Sequence, residues 1–232
     1  MEDMERYGDY TEYEEDQPKK KGALSSVLKI LVVVVSILVL GVLLFRIVLS
    51  GYYPKSIKQL YFNDTLEEYY NQTGGNIDAK SLKVKAPYDD EKEGIFFAEN
   101  LIIIDGADQI QFTLRLNKHV YKELSEKYET EITPDMINLY LYSHTEGRPS
   151  EDMDAIEATY QCVDVKSYFM YDCFKIVFDN VTWDFASQNK EWLVLKIEIK
   201  GFEEDLYRIT LYRNIDDYNR LKDYDLSRKE HP

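Results

Sequence analysis

Hydrophobic residues along this chain follow two patterns, one continuous and one with a period of two. The continuous pattern is the uncharged run from Ile30 to Phe45, which mostly apolar residues extend to Ala23 and Ser50. A helix needs about 20 apolar residues to cross the roughly 30 Å hydrocarbon core of a bilayer. A helix in the core of a soluble domain is rarely apolar on every face. The run therefore predicts a transmembrane helix over residues 23–50.

The residues around this run favour an uncleaved signal anchor. Residues 1–21 are acidic, whereas a signal peptide begins with a short basic region, and the run exceeds the usual apolar region of about 7–15 residues. Leu49-Ser50-Gly51 resembles a cleavage site, so cleavage is the alternative. Basic residues mark the cytoplasmic side, and four precede the run: Lys19, Lys20, Lys21 and Lys29. We expect a single-pass protein of the cell (plasma) membrane with a cytoplasmic N-terminus and an extracytoplasmic C-terminal domain.

The second pattern is an alternation of apolar and polar residues, which is typical of β-strands. It dominates the chain from residue 95 onward, and one helical stretch, Lys118–Tyr128, interrupts it. The predicted strands are 95–104, 109–116, 137–143, 158–166, 169–179, 192–200 and 206–213, with Ser81–Ala86 as a further candidate. Seven or eight sequential strands predict a mainly-β exodomain, an antiparallel β-sandwich with one or two short helices.

These patterns divide the chain into five segments. We expect a disordered acidic cytoplasmic tail (1–22), the transmembrane signal anchor (23–50), a helical stalk or linker (51–94), the extracytoplasmic β-sandwich (95–213) and a polar C-terminal tail or short helix (214–232). Within the linker, Pro54–Gln72 has helical spacing, and Thr65 followed by Glu68 matches a capping box.

The strand count and the alternation resemble those of immunoglobulin-like and jelly-roll sandwiches. The widely spaced Cys…Trp…Cys pattern of immunoglobulin domains is absent. The resemblance therefore implies an architecture and no function.

The two cysteines lie in neighbouring predicted strands. If these strands pair about a turn at Ser167-Tyr168, Cys162 and Cys173 are directly opposite each other, and Lys175 shares the face of Cys173, away from the core. Disulfides persist in oxidising compartments such as the cell exterior. We expect a cross-strand disulfide on the outer face, with two reduced thiols as the alternative.

Composition narrows the classes of function. The net charge of −15 repels nucleic acid, which we exclude as a partner. Three histidines are too scattered for a metal site, and we expect His144 at the surface. The chain has neither a nucleophile elbow nor a zinc-protease motif. No cofactor and no enzymatic activity are predicted.

Two weaker features suggest binding. Trp183 and Trp192 flank a turn, where paired aromatic rings can form a sugar-stacking platform; packing in the core is the alternative. Asp105 and Asp108 lie at a predicted hairpin turn, and their carboxylates could also bind calcium. Matches to the N-glycosylation sequon begin at Asn63, Asn71 and Asn180.

Together these features predict a membrane-anchored extracytoplasmic binding or interaction module. Its partners would be the lipid bilayer, through the single span, and a protein or glycan at the cell surface. The alternative is a structural or assembly subunit of a cell-envelope complex, and a surface hydrolase is a third, less favoured reading.

Overall fold

The computed structural model describes residues 23–51, 57, 59–84, 96–149, 151–168, 171–202 and 205–225. The expected acidic tail (1–22) and the charged part of the linker (88–94) lie outside the described residues. The chain divides into two compact units, Met1–Tyr53 and Pro54–Pro232.

The first unit contains one long apolar helix, Ala23–Gly51. Within it, Val27–Phe45 has a mean hydropathy of 3.1, and none of this stretch is buried against the rest of the chain. The apolar run contains one hydroxyl group, that of Ser36. This hydroxyl forms a hydrogen bond within the helix, because Ser36 Oγ donates to the Val32 carbonyl at 2.8 Å. The 29 residues span roughly 44 Å at the helical rise per residue. The predicted apolar helix is confirmed, and its length suffices to cross a bilayer.

The second unit is mainly β. Its strands are β1 (Lys80–Leu82), β2 (Phe96–Ile104), β3 (Gln109–Asn117), β4 (Ile137–Thr145), β5 (Asp154–Ile156), β6 (Thr159–Ser167), β7 (Tyr171–Asp179), β8 (Glu191–Ile199), β9 (Asp205–Arg213) and β10 (Lys222–Asp223). Its helices are Asp64–Gln72, Lys118–Lys127 and Asn214–Tyr218, with single 3₁₀ turns at Asp105–Ala107 and Pro134–Met136. The seven long predicted strands are all present, and the short β5 and β10 are additions to the prediction.

The strands form two antiparallel sheets. The order in the six-stranded sheet is β10-β1-β2-β3-β7-β6, and the order in the four-stranded sheet is β5-β4-β8-β9. Alternate residues of both sheets enter one hydrophobic cluster, for example Phe112 on β3, Leu195 on β8 and Ile209 on β9. The rings of Phe96 and Tyr207 join β2 to β9 with centroids 5.6 Å apart. The two sheets therefore share one core.

A second, smaller cluster lies on the other side of the six-stranded sheet. Leu66 of the Asp64–Gln72 helix packs there against Ile102 and Ile104 of β2. The helix begins after Asn63, whose side-chain oxygen accepts a hydrogen bond from the Leu66 amide at 3.1 Å. The helix therefore begins two residues before the predicted cap at Thr65, and the predicted capping box of Thr65 and Glu68 is not formed. Apolar residues between Leu60 and Ala79, within the segment that we expected as a stalk or linker, pack on the sheet.

Candidate functional site

The outer face of the six-stranded sheet, which points away from the shared core, is polar and yet buried along β3 and β7. Successive residues of a strand point to opposite faces, so the residues between the core positions share this outer face. Five of them carry polar groups, are between 0% and 6% exposed, and form what we call the polar strip: Gln109, Gln111, Thr113, Lys175 and Asp179.

Ile57 and residues 59–63, which we call the covering segment, lie across the polar strip. Gln111 acts as a neighbouring strand would: its Oε1 accepts from the Tyr61 amide at 2.8 Å, and its Nε2 donates to the Tyr61 carbonyl at 2.7 Å. Thr113 Oγ1 donates to the Ile57 carbonyl at 3.1 Å. Side chains of the sheet thus satisfy backbone groups of the covering segment, which explains how polar residues are buried here.

Asp179 ends the polar strip and anchors the start of the Asp64–Gln72 helix, which we call the covering helix. Its carboxylate accepts from Gln109 Nε2 at 2.7 Å and from Asn63 Nδ2 at 3.1 and 2.9 Å. Asn63 also caps the Asp64–Gln72 helix. The Asn63 amide is therefore engaged in the fold, and glycosylation of this sequon, which modifies Nδ2, would disturb the contact with Asp179.

Lys175 is the one member of the strip whose polar group has no hydrogen-bond partner among the described residues. The side chain is 2% exposed and Nζ is unpaired. Burial lowers the pKa of Lys175 to about 7. Its cross-strand neighbours are Thr113 on β3 and Asp164 on β6, and Asp164 lies 3.2 Å from Lys166 Nζ. The middle of the sheet therefore buries an amine that loses its proton far more readily than an exposed lysine.

The predicted disulfide between Cys162 and Cys173 is not formed, and both residues are reduced thiols. Cys162 lies opposite Ile176, whereas Cys173 lies opposite Lys166. Cys162 is exposed, and Cys173 is 0% exposed. The two thiols consequently belong to different faces of the hairpin.

The reason for this correction is the register of the hairpin. The strands turn later than expected, and the Tyr168 amide donates to the Tyr171 carbonyl at 2.8 Å. A bulge in β6 between Cys162 and Asp164 inserts one residue that has no partner on β7. A bulge of this kind shifts the pairing of every residue beyond it.

An open cleft lies on the same outer face, beside the covering segment, where β10, β1 and β2 meet. Its volume is about 1340 Å³, above the roughly 300–1,000 Å³ of common small-molecule sites. We call it the β1–β10 cleft. Polar and charged lining residues include Ser81, Lys83, Asn100, Arg220, Lys222 and Tyr224.

Two contacts give one wall of this cleft its shape. The Arg220 guanidinium is paired with the Asp217 carboxylate, and its Nη2 donates to the Lys83 carbonyl at 3.0 Å. On the opposite wall, Tyr224 Oη accepts from the Leu60 amide at 2.9 Å. The cleft is thus built from β1, the chain before β10 and the covering segment.

Asn100 is the most unusual residue of the cleft. It lies in a bulge of β2 between Glu99 and Ile102 and has a φ of 54°, a region that asparagine tolerates better than most residues. Its side-chain nitrogen is buried without a hydrogen-bond partner among the described residues. Sequence analysis did not single out Asn100, although a Glu-Asn pair inside the apolar stretch of β2 is a signal for a bulge.

The predicted aromatic pair is divided between the segment after β7, which carries Trp183, and β8, which carries Trp192. Trp183 packs against the shared core. Trp192 lies on the face of β8 away from the core, where Arg213 is 4.4 Å above its ring and the His144 ring is 5.7 Å away. His144, expected at the surface, is 4% exposed. The structure does not bring the two tryptophans together as one stacking platform.

Asp105 and Asp108 occupy the hairpin turn between β2 and β3, as expected. Burial raises the pKa of Asp105, and the nearby carboxylates of Asp108, Asp184 and Asp78 raise it further. Within the described part of the chain, no group of three His, Cys, Asp or Glu residues is arranged to hold a metal ion. Calcium binding at this turn stays a prediction.

We compared the chain with known protein families, curated proteins and solved structures. No family model, no curated protein and no solved structure matches the chain. The fold and the site define a mainly-β domain of two antiparallel sheets with a polar cleft on one outer face. Function has to be inferred from the residues of the chain itself.

Proposed function

We propose that this protein is a single-pass membrane protein whose β domain is an antiparallel sandwich held outside the cytoplasm, where it binds a ligand through the β1–β10 cleft. The observation that carries the binding role is the cleft itself, an open space whose lining includes lysine, arginine, amide and carboxylate groups beside apolar residues. Loops and sheet edges of this kind commonly carry recognition on a rigid scaffold.

The anchoring role is supported by the helix Ala23–Gly51. Its stretch Val27–Phe45 is exposed along its whole length and has a mean hydropathy of 3.1, a combination that is costly in water and favourable in hydrocarbon. Four lysines precede the apolar run, which favours a cytoplasmic N-terminus. The bilayer is therefore one proposed partner of the chain.

A structural or assembly subunit of a cell-envelope complex is the second candidate. The outer face of the four-stranded sheet favours it, because Tyr140 is 42% exposed there beside Tyr142, over which Lys196 Nζ lies at 5.5 Å. Aromatic and cationic side chains are enriched at protein interfaces. On this reading the partner is a protein that covers the four-stranded sheet.

The membrane role is tested by placing two charges in the middle of the helix. The double variant Val34→Arg/Leu38→Arg should leave the membrane pellet after alkaline extraction, because each central arginine costs about 2.5–3.5 kcal/mol. The matched control Val34→Ile/Leu38→Ile should stay in the pellet. Equal retention of both variants would contradict an anchor at this helix.

Orientation and processing are tested on intact cells. Added protease should degrade a C-terminal tag and leave an N-terminal tag protected, and the mature chain should keep its full mass. A protected C-terminal tag would reverse the topology. A chain shortened by about 50 residues, as cleavage near Leu49-Ser50-Gly51 requires, would make the helix a signal peptide.

The binding role is tested by sedimentation of the purified full-length protein with isolated cell envelopes. Retention that is lost in Asn100→Asp and kept in Trp192→Ala places recognition in the cleft. Retention that is kept in Asn100→Asp and lost in Trp192→Ala favours an assembly surface on the four-stranded sheet.

A further inference from the structure

The β1–β10 cleft has an excess of hydrogen-bond donors. Within the part of the chain that the structure describes, Lys83 and Lys222 have no ion-pair partner, and the buried Asn100 Nδ2 has no acceptor. The lining also contains two carboxylates, Asp223 and Asp225. Both are engaged within the protein, and Lys80 Nζ lies 2.7 Å from Asp223 Oδ1. These three donors of the cleft are therefore available to an acceptor on a ligand.

We infer that the cleft binds a ligand through an oxyanion group, a carboxylate or a phosphate, held by Lys83, Lys222 and Asn100. This inference rests on the proposed binding function and names the chemical class of its ligand. Ammonium and amide donors form short, charge-assisted hydrogen bonds to oxyanions. A ligand that offered donors of its own would leave Asn100 Nδ2 buried and unsatisfied.

The backbone at Asn100 supports a role in binding. A non-glycine residue at positive φ persists where the surrounding structure imposes it, and such residues cluster at functional sites. The bulge of β2 at Asn100 turns the side chain into the lining of the cleft. A regular strand would instead continue the alternation of faces at this position.

Arg220 acts on this site as a positioning residue. Its guanidinium is held by Asp217, which is 7% exposed and also accepts from the Arg213 amide at 2.9 Å. The same guanidinium donates to the Lys83 carbonyl. Arg220 therefore fixes the backbone that carries the Lys83 side chain, while Asp217 offsets its charge.

The acidic character of the whole chain does not oppose this assignment at physiological ionic strength. The net charge of −15 repels anions over long distances in dilute buffer. At about 0.15 M salt the screening length is about 8 Å, so carboxylates beyond the cleft are largely screened, and the carboxylates that oppose the donors directly are Asp223 and Asp225 of the lining. The binding of an anion is best measured at that ionic strength.

The experiment uses the full-length protein in phosphatidylcholine nanodiscs at 0.15 M ionic strength, titrated with inorganic phosphate, with tetragalacturonate and with the neutral maltotetraose. Saturable binding of phosphate or of tetragalacturonate is expected, and the two arms distinguish a phosphate from a carboxylate ligand. Asn100→Asp and the double variant Lys83→Glu/Lys222→Glu should each weaken binding about tenfold or more. The charge-matched control Lys200→Glu, an exposed lysine in the turn after β8, should change it less than about twofold.

Folding is controlled by the choice of variants. Asn100→Asp and Asn100→Gly both tolerate a positive φ, so each should melt as a folded protein while losing the amide donor. Loss of binding in the folded Asn100→Gly variant supports the inference. Unchanged binding in folded Asn100→Gly, or equal weakening by Lys200→Glu, overturns it.

Different results contradict the proposed ligand class and the proposed binding function. Absence of oxyanion binding, or preference for maltotetraose, overturns the ligand class, and retention on isolated envelopes would still support a binding module. Oxyanion binding without retention on envelopes supports the ligand class and contradicts the proposed role at the cell surface.

Discussion

The two faces of β3 and β7 are buried to the same degree by different chemistry. On the inner face, apolar residues such as Phe112 and Phe178 stack with ring centroids 6.1 Å apart. On the outer face, Gln109, Gln111 and Asp179 are as buried as the rings, and hydrogen bonds to the covering segment and its helix satisfy them. The comparison teaches that burial of a sheet face does not require it to be apolar when every polar group finds a partner.

Lys175 is the exception on the outer face. Its neighbours in the polar strip are hydrogen-bonded, whereas its Nζ is unpaired. Burial of an unpaired ammonium is costly, which is why the pKa of the group falls. The outer face therefore combines well-satisfied amides with one position that destabilises the fold at low pH.

Truncation of a ring on the inner face should have the largest effect. Phe112→Ala should lower the free energy of unfolding by about 3–5 kcal/mol, because a ring that is 0% exposed leaves a cavity in a packed core. Urea unfolding followed by tryptophan fluorescence measures the change. Val165→Ala, at a valine that is 53% exposed, is the control and should cost less than about 1 kcal/mol. Equal losses would show that the inner face is not the tightly packed core.

Removal of the charge from the outer face should stabilise the protein. Burial lowers the pKa of Lys175 from 10.5 to about 7, so the unfolded chain holds the proton more tightly and stability rises with pH between these values. Lys175→Met should therefore gain about 3 kcal/mol at pH 6, below the upper limit of roughly 5 kcal/mol that this pKa difference implies.

The pH dependence provides the control for this variant. The gain from Lys175→Met should shrink as the pH rises from about 7 and vanish above the ordinary lysine pKa of about 10.4. Lys166→Met, at an exposed lysine of β6, should show no such trend. A gain that is constant with pH would mean that packing, and not protonation, explains the effect.

Loss of one amide from the polar strip should have a moderate effect. Gln111→Ala leaves the Tyr61 amide and carbonyl and Gln109 Oε1 without their partners. Buried unsatisfied groups of this kind cost about 1–3 kcal/mol in total stability. Gln161→Ala, at an exposed glutamine of β6, is the matched control. If the two variants unfold at the same urea concentration, the hydrogen bonds to the covering segment contribute nothing.

The smallest expected effect concerns the contact between the covering helix and the turn after β2. A Cβ at Gly106 would lie 2.8 Å from Tyr69 Cζ and 2.9 Å from Cε2, so the ring of Tyr69 has to move. Gly106→Ala should cost about 1 kcal/mol. In a Tyr69→Ala background the same change should cost almost nothing. A penalty that survives in this background would place its cause in the turn and not in the helix contact.

The alternation along β7 was sufficient to predict which residues share a face. Cys173 and Lys175 lie together on the face away from the core, as predicted, and Phe174, Ile176 and Phe178 enter the shared core. The alternation does not indicate which part of the chain covers a face of the sheet. The Asp64–Gln72 helix buries only Leu66 completely, a pattern too weak to distinguish a packed helix from a stalk.

The errors at the cysteines and at Asn100 have a common physical cause. Pairing between strands depends on where the turn closes and on bulges, and a shift of one residue changes every partner. Neither feature leaves a periodic signal in the sequence. The cleft depends on such a bulge and on the short strands β1 and β10, whose three and two residues are too few to show alternation.

The central claim is that the outer face of β3 and β7 is buried and not open to solvent, and thiol labelling of the reduced full-length protein tests it most directly. Cys162 is exposed at the surface, but desolvation by the neighbouring protein atoms and the Asp164 carboxylate raise the pKa of its thiol. Alkylation is therefore followed at about pH 9 and mapped to each cysteine by mass spectrometry. Cys162 should react rapidly, and Cys173, which is 0% exposed, should react about a hundredfold more slowly, at the rate at which the fold opens. Rapid labelling of both thiols would contradict the covered outer face.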